Sequence, residues 1–547
     1  MRAVAVFLLA ALLSTFALAQ ADQVLKETPV EISKEASATI ENLGPLPAAR
    51  KLLRDGHYEA AADAFRELMA KGSNPSAAAG LTRALVRQHD IATATDVIKK
   101  ALKDYPDSAE IHEAYGEVLY RGGSPWAAEA ELAKTINTWG PNAQAYLWLS
   151  RYYTASAYHK KSRTMIERAY SIDPDDPEVA AAYHRAVRGS ESVALKLAAN
   201  SDQSEAMQAL LQQLMTRQHR GCSVTPISHD VQVPLLPLNT DPRHIRGFGL
   251  EVTFNGERGK LLLDTGAAGI LINHRLAEKA GVKRIASSMV HGVGDKGGTA
   301  SYMGHIDSAR IGDLELRDCT VEVSETRNVL EEDGLIGTDL FEDFLVHIDF
   351  PHMKFRLTAL PARPGDAPKQ SSPQETMKKG DSQQDAAVKK DGTNDEPELH
   401  DPYRAPEMQN FTRMYRVGHY VLVPTRVDDL PPRLFLLDTG AFNNMISPAA
   451  AREVTKLHGD DDLKIKGLSG TVKKVYTADQ ATLTFSRYSQ KNEDLVAFDL
   501  SGFSRGAGME ISGALGFAML RLMEITIDYR DGMIDFKYDP KMFPGLR

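Results

Sequence analysis

Two textures divide the chain. Residues about 45–190 are rich in alanine and helix formers, with prolines at Pro75, Pro106, Pro141 and Pro174, spaced by 31, 35 and 33 residues. Each interval carries a turn cue ahead of an alanine-rich stretch: "DGHYEAAADAF" (55–65), "HDIATATDVI" (89–98), "GGSPWAAEAEL" (122–132) and "SAYHKKSRTMI" (156–166). A fixed period of this size predicts stacked helix pairs. Ala61, Ala94 and Ala128 are small enough to let paired helices approach closely. "SEAMQALLQQLMTRQHRG" (204–221) reads as one further helix, capped by Ser204 and stopped by Gly221. Beyond it the pattern turns to β-structure. "GLEVTFNGERGKLLLDTG" (249–266) alternates around an Asn-Gly turn, a strong hairpin signal. From about 361 to 406 the large apolar residues disappear, and 369–398 holds no aromatic, so this segment reads as a disordered linker. Alternation resumes at "RVGHYVLVPTRV" (416–427).

The pattern divides the chain into a helical repeat domain (45–221), a first β region (225–360), the linker (361–406) and a second β region (408–547). A length of 547 residues exceeds what one core organises. The net charge of −9 gives no sign of a nucleic-acid partner. Two cysteines, Cys222 and Cys319, exclude a disulfide scaffold and a cysteine-based zinc site. Met1-Arg2, the apolar run Val4 to Ala19 and the small residues of "ALAQA" (17–21) predict a cleaved signal peptide over 1–21. The run is short for a membrane anchor, and no later stretch is long and apolar enough to span. The expectation is an exported protein, periplasmic or secreted, with no stable membrane anchor, in which Cys222 and Cys319 could pair.

The β regions repeat one another. "LLLDTGAAGILIN" (261–273) returns as "FLLDTGAFNNMIS" (435–447), and the two can be aligned from Asp264 and Asp438. Ile272 and Ile446 follow at the same distance, then the helix-capping types Asn273 and Ser447, then "HRLAEKAG" and "PAAAREVTKLHG" as short helices. Glycine clusters come next, "HGVGDKGG" (291–298) and "KGLSGT" (466–471). Apolar-apolar-Gly follows, ending at Gly337 and Gly516, and both copies close on an Ile-Asp strand at Asp349 and Asp528. Six stations in one order identify a duplicated unit with one carboxylate per copy.

The order strand–DTGA–helix–glycine flap–apolar-apolar-Gly–strand resembles the lobe of the retropepsin-like aspartic proteases. Two such lobes in one chain are similar to the bilobal pepsin-like arrangement. The helical period resembles tetratricopeptide repeats, and the fold class expected is all-α repeats followed by two mainly-β lobes. The resemblance implies an aspartic peptidase in which Asp264 and Asp438 share one proton and activate a water, without cofactor or metal. Thr265 and Thr439 would brace the two turns, Gly266 and Gly440 would permit them, and Gly292, Gly294, Gly467 and Gly470 would belong to flaps over a peptide. The usual Ser, Thr or Asn after DTGA is replaced by Ala268 and by Phe442, with Asn443 one place late.

Other patterns carry less. "GVGDKG" (292–297) and "GFSRG" (502–506) spell a dinucleotide fingerprint and a nucleophile elbow, but neither is followed by the helix its chemistry needs. His347 and His352 lack a third ligand at metal spacing, and Trp126, Trp139 and Trp148 read as inter-helix packing. The leading expectation is an endopeptidase acting on a peptide or protein substrate, with the repeats recruiting a protein partner on their concave face. Removing the repeats should then spare the chemistry. The alternative is a catalytically weak peptide-binding scaffold that keeps the protease fold; a further one pairs lobes between molecules.

Overall fold

The computed structural model describes residues 43–543 apart from 73, 188–221, 225–229, 242–243, 296, 326–331, 365–398, 460–462 and 464. The expected signal peptide, the helix over 204–221 and the 369–398 stretch lie outside the described residues.

Eight helices form four consecutive pairs: α1 Pro45–Arg54, α2 Tyr58–Ala70, α3 Pro75–Arg87, α4 Ile91–Asp104, α5 Ala109–Arg121, α6 Pro125–Trp139, α7 Ala143–Ala155 and α8 His159–Ile172. Residues 177–187 are again helical. Pro75 occupies the first turn of α3, where a missing N–H costs nothing. Asn74, Asp90 and Asn142 cap α3, α4 and α7 through their side chains. Ala61, Ala94 and Ala128 are fully buried between helices, as their size demands.

The first lobe contains β1 Ser223–Val224, β2 Val231–Pro234, β3 Leu236–Asp241, β4 His244–Phe254, β5 Glu257–Asp264, β6 Ile270–Asn273, α9 His274–Lys279, β7 Lys283–Val290, β8 Thr299–Ile311, β9 Leu314–Ser324, β10 Gly334–Gly337, β11 Phe344–Asp349 and β12 Lys354–Ala359. The second contains β13 Thr412–Arg413, β14 Tyr415–Val417, β15 Tyr420–Val427, β16 Arg433–Asp438, β17 Met445–Ile446, α10 Pro448–Arg452, β18 Leu457–Gly459, β19 Lys466–Gly467, β20 Gly470–Thr471, β21 Val475–Phe485, β22 Tyr488–Phe498, α11 Ser501–Ala507, β23 Gly513–Gly516, α12 Phe517–Leu520, β24 Met523–Asp528 and β25 Met533–Tyr538.

The duplicated stations fall in one register. β10 runs parallel to β5 with Gly337 opposite Asp264, and β23 runs parallel to β16 with Gly516 opposite Asp438. Asn255 and Gly256 both take positive φ (47° and 94°), the two-residue hairpin geometry expected between β4 and β5. Asn273 and Ser447 cap α9 and α10 as expected. α10 is shorter than the sequence implies. It stops at Arg452, and Leu457–Gly459 instead pairs with β21, where Val454 and Thr455 weaken the helix ahead of an available strand edge. Cys222 and Cys319 form a disulfide that fastens the start of β1 to β9, its pairing partner.

A six-stranded sheet in the order β13-β25-β24-β11-β12-β2 joins the lobes. Its seam is β11 against β24, with Val346 opposite Ile527 and Ile348 opposite Ile525, all fully buried. The two closing Ile-Asp strands therefore pair with each other, and both lobes of one chain share a continuous apolar core. The linker is anchored at both ends by one buried carboxylate. Asp531 accepts from Arg363 at 2.6 Å and from the Tyr403 amide at 2.9 Å. Residues 399–406, expected as linker, are thus part of the folded body, and Asp401 also accepts from the Lys161 amide in the first turn of α8 at 3.0 Å.

The repeats are not a detached arm. Trp148, Tyr152, Leu132 and Ala145 share an apolar cluster with Tyr415, Leu434, Leu436 and Met445 of lobe 2. Gly123, at φ +78°, lies where an added Cβ would stand 2.6 Å from the Glu510 carbonyl, beside a 2.6 Å bond from the Glu510 amide to the Arg121 carbonyl. Stripping the repeats would expose this apolar surface, so the expectation that their removal spares the chemistry concerns a domain docked on lobe 2 rather than a separate one. Trp126 packs on Tyr415 of lobe 2 within a cluster that also holds helix residues, Trp139 stacks on His112, and Trp148 packs on Tyr120 within that same cluster.

Candidate active site

Asp264 and Asp438 are the last residues of apolar strands, "LLLD" and "FLLD". Leu263 and Leu437, just before them, are buried. Burial pins each strand end, and the turn that follows brings its amides back to the carboxylate. Gly266 N donates to Asp264 Oδ1 at 2.8 Å; Gly440 N and Ala441 N donate to Asp438 Oδ1 at 3.0 and 2.9 Å. The two turns interlock through their threonines. Thr265 N donates to Thr439 Oγ1 and Thr439 N to Thr265 Oγ1, both at 3.0 Å. Each hydroxyl then donates across the interface, Thr265 to the Leu437 carbonyl at 2.7 Å and Thr439 to the Leu263 carbonyl at 2.8 Å. All four bonds lie between lobes and are buried, so displacing either turn leaves unpaired polar groups.

The carboxylates meet within this frame. A Cβ at Gly440 would stand 2.4 Å from Asp264 Oδ2, so only glycine lets that carboxylate lie against the opposite turn. Asp264 and Asp438 are hydrogen-bonded to each other. Burial raises both carboxyls above the ordinary range, and mutual repulsion adds to it at Asp264. Such a pair holds one proton between them and titrates as a unit. Asp438 is 8% exposed and Asp264 is only partly buried, so water reaches the pair.

The glycine clusters form two tips that bond to each other. Gly292 N donates to Ser469 Oγ at 3.1 Å, Ser469 N to the Val293 carbonyl at 3.0 Å, Thr299 Oγ1 to the Leu468 carbonyl at 2.7 Å and Lys473 N to Asp295 Oδ2 at 2.7 Å. Gly292 and Gly294 belong to the first tip. Gly467 and Gly470 pair with each other as the second.

Several residues at the site were not singled out from sequence. Asp339 accepts from Gly269 N at 3.0 Å and fastens the loop after the first turn; burial pushes it up to about 6. Its counterpart in lobe 2 is Asn444, which accepts from Gly516 N at 2.8 Å and donates to Gln490 and Asn492. The support for the second turn therefore comes from Asn444 rather than Asn443. His419 and Tyr420, on the hairpin of β14 and β15, reach the Gly266 backbone and the field of Asp438 respectively. The signals were faint: an Asp two places after Gly337, and polar or aromatic residues inside an apolar strand.

The decoys resolve locally. "GVGDKG" is the first flap tip, and Ser504 bonds the Leu500 carbonyl and the Ile511 amide within and just beyond α11. His347 bonds Thr358 and Thr526 in the interlobe sheet, and His352 pairs with Asp349. Among the described residues no three His, Cys, Asp or Glu side chains form a metal-binding group, and no described helix is long and apolar enough to cross a membrane.

Residues 250–340 match the aspartyl protease family. Residues 52–118 match the tetratricopeptide repeat family. The chain thus resembles the aspartyl protease family in one region and, ahead of it, the tetratricopeptide repeats in another. The protease match ends at Leu340, within lobe 1, and lobe 2 joins it through the register and interlocked turns described above. The chain is 33% identical over 102 residues to DNA damage-inducible protein 1 of Neurospora crassa, covering 18% of this chain and 22% of that protein. It is 33% identical over 110 residues to the UBA domain-containing protein Mud1 of Schizosaccharomyces pombe, covering 20% and 32%. The chain thus spans about a fifth to a third of the length of these relatives. Among solved structures, a retropepsin-like aspartic protease from Rickettsia conorii aligns at 20% identity and a TM-score of 0.18, covering 25% of this chain and 93% of that one. A thermophilic tetratricopeptide protein of Thermus thermophilus aligns at 18% identity and a TM-score of 0.25, covering 31% and 95%.

Proposed function

We propose that the protein is an aspartic endopeptidase whose one catalytic centre is the pair Asp264 and Asp438. The observation that carries this is two carboxylates, one from each lobe, hydrogen-bonded to each other in interlocked turns and open to water. With one proton on the pair, the ionised carboxylate takes a proton from water as its oxygen attacks the scissile carbonyl carbon. The protonated carboxyl gives its proton to the carbonyl oxygen, producing a tetrahedral diol. Collapse breaks the C–N bond as one diol hydroxyl gives its proton to the ionised carboxylate and the protonated carboxyl gives its own to the leaving nitrogen, so the pair again holds one. Burial serves this chemistry by keeping the shared proton in place above the pH at which an isolated carboxyl would lose it. Thr265, Gly266, Thr439 and Gly440 hold the geometry, and the tips bearing Gly292, Gly294, Gly467 and Gly470 would part to admit an extended peptide.

Recruitment of a protein partner falls to the outer repeats. The helices from α1 to α5 have an apolar core of their own with no lobe residue in it. Inner positions on α3, α5 and α7 are occupied by their own charges: Arg87 of α3 pairs with Glu117 of α5 and with Glu178, Arg121 of α5 pairs with Glu117, and Arg121 and Arg151 stack over Trp148 of α7. That network argues against the concave face there as the partner surface. Export to the periplasm or outside is supported by the leader-like 1–21 stretch and by the Cys222–Cys319 pair, which suits an oxidising compartment.

The test is cleavage of a mixed peptide library by the full-length chain, beside Asp264→Asn and Asp438→Asn. Each single substitution should lower turnover by about 10²–10⁴-fold while leaving the fold intact, since each removes half of a shared acid–base pair. Near-normal turnover in either variant would overturn the reading.

A further inference from the structure

The hairpin between β14 and β15 touches two regions that the sequence keeps far apart. Its base is held by the helical repeats. Tyr415 lies 6.0 Å from Trp126 of α6 and 6.1 Å from Tyr152 of α7, ring centre to ring centre, and is buried. Two residues earlier, Arg413 donates to Tyr158 Oη at 2.7 Å and stacks on its ring. The tip of the hairpin reaches the opposite lobe. Arg416 pairs with Glu342, lies 5.0 Å over the Tyr529 ring and closes the turn through the Gly418 carbonyl at 2.9 Å. His419, next at the tip, hydrogen-bonds the backbone of Gly266, inside the turn that presents Asp264. Tyr420 follows beside Asp438 and packs on Phe503.

We infer that His419 is a positioning residue for the catalytic turn, and that the helical repeats set its position through Tyr415. The Gly266 amide already holds the Asp264 carboxylate at 2.8 Å, so the same peptide segment carries both the brace and the reactive group. A shift of the hairpin tip therefore moves the carboxylate, and misplacement by about 1 Å costs on the order of 100-fold in rate. Burial and the Arg416 cation push His419 down to about 4, so the ring is neutral at ordinary pH, with one N–H to donate. The repeats thus belong to the catalytic scaffold as well as to recruitment, and a partner bound on them can reach the dyad through the short hairpin from Tyr415 to His419. The kinetic half of this inference rests on the peptidase reading; the structural half does not.

Two readouts on the full-length chain separate them. The first is hydrogen exchange of the 261–268 segment, which needs no activity. The second is kcat and KM on a peptide that the wild type cleaves. His419→Ala should speed exchange of that segment by about tenfold or more and lower kcat by a comparable factor, with KM nearly unchanged. His419→Asn and His419→Gln place an amide N–H near the positions of Nδ1 and Nε2, and one of them should restore both readouts. Trp126→Ala, on the helical side, should reproduce the exchange change in 261–268 at a smaller amplitude, while exchange in β7 and β9 stays at the wild-type rate. Wild-type protection of 261–268 in His419→Ala would overturn the brace. Wild-type protection in Trp126→Ala alone would overturn the coupling to the repeats. A wild type that cleaves no peptide would defeat the peptidase reading and leave the exchange result to decide the brace.

Discussion

In lobe 1 the loop after the dyad turn is pinned by Asp339, which accepts from Gly269 N; in lobe 2 Asn444 pins the corresponding region by accepting from Gly516 N. The anchor has changed sides as well as identity: Asp339 follows the apolar-apolar-Gly strand, whereas Asn444 precedes its partner strand in the chain. The outer supports differ too. A disulfide staples the outer edge of lobe 1 at β1 and β9, whereas lobe 2 rests on the helical repeats. Yet Gly337 faces Asp264 as Gly516 faces Asp438, and Ile272 and Ile446 are equally buried. What the duplication preserves is backbone register and the interior side chains that fix it. What it leaves free is the chemistry of the braces, because any acceptor of the right reach satisfies a buried amide.

The staple should show this division most strongly. Replacing Cys222 and Cys319 together by alanine removes a crosslink across 97 residues and should cost about 2–4 kcal/mol. Hydrogen exchange should locate the loss in lobe 1, with β21 and β22 of lobe 2 unaffected; equal loss in both lobes would break the comparison. Next come the braces. Asn444→Ala orphans the buried Gly516 amide and the partners Gln490 and Asn492, at about 1–3 kcal/mol. Asp339→Asn keeps an acceptor for Gly269 and should cost well under half of that, while Asp339→Ala should approach it; denaturant midpoints of the three variants check the order.

The smallest effect is a pH-dependent difference. Asp264 binds its proton more tightly in the folded chain than in the unfolded one, so its contribution to stability is present below the unfolded value and is lost as pH rises through the folded one. Asp264→Asn lacks this ionisation. Its melting temperature should therefore gain on the wild type as pH rises from about 4 to about 9, by about 2–4 °C for each kcal/mol of this linkage that the coupled pair retains. A constant gap, or one that closes, would show that burial does not raise the pair.

Asp264 and Asp438 could be aligned in the sequence because each ends a repeated apolar strand in the same tripeptide, whereas the roles expected of the threonines and of the flap glycines came only from the resemblance to the retropepsin-like lobe. The repeats were legible because their prolines and alanines recur at one period. The braces were not, since Asp339, Asn444 and His419 act on amides or carbonyls far along the chain, and no local pattern distinguishes them from ordinary polar residues. The docking of the repeats on lobe 2 was equally hidden. Trp126 and Tyr415 look like core residues of their own domains, and only the fold sets their rings 6.0 Å apart. The helix expected over 448–459 gave way to β18 for a similar reason, a strand edge that only the tertiary structure supplies.

The central claim is that the two lobes of one molecule make one catalytic pair, and mixing two inactive variants tests it most directly. Asp264→Asn and Asp438→Asn proteins, each assayed alone and then combined in equal amounts, meet the same short peptide beside the wild type. The seam of β11 on β24 lies within one chain, so every molecule in the mixture carries one broken pair. The account predicts that the mixture stays as inactive as its components while the wild type cleaves. Activity recovered on mixing would show that lobes pair between chains, and would contradict it.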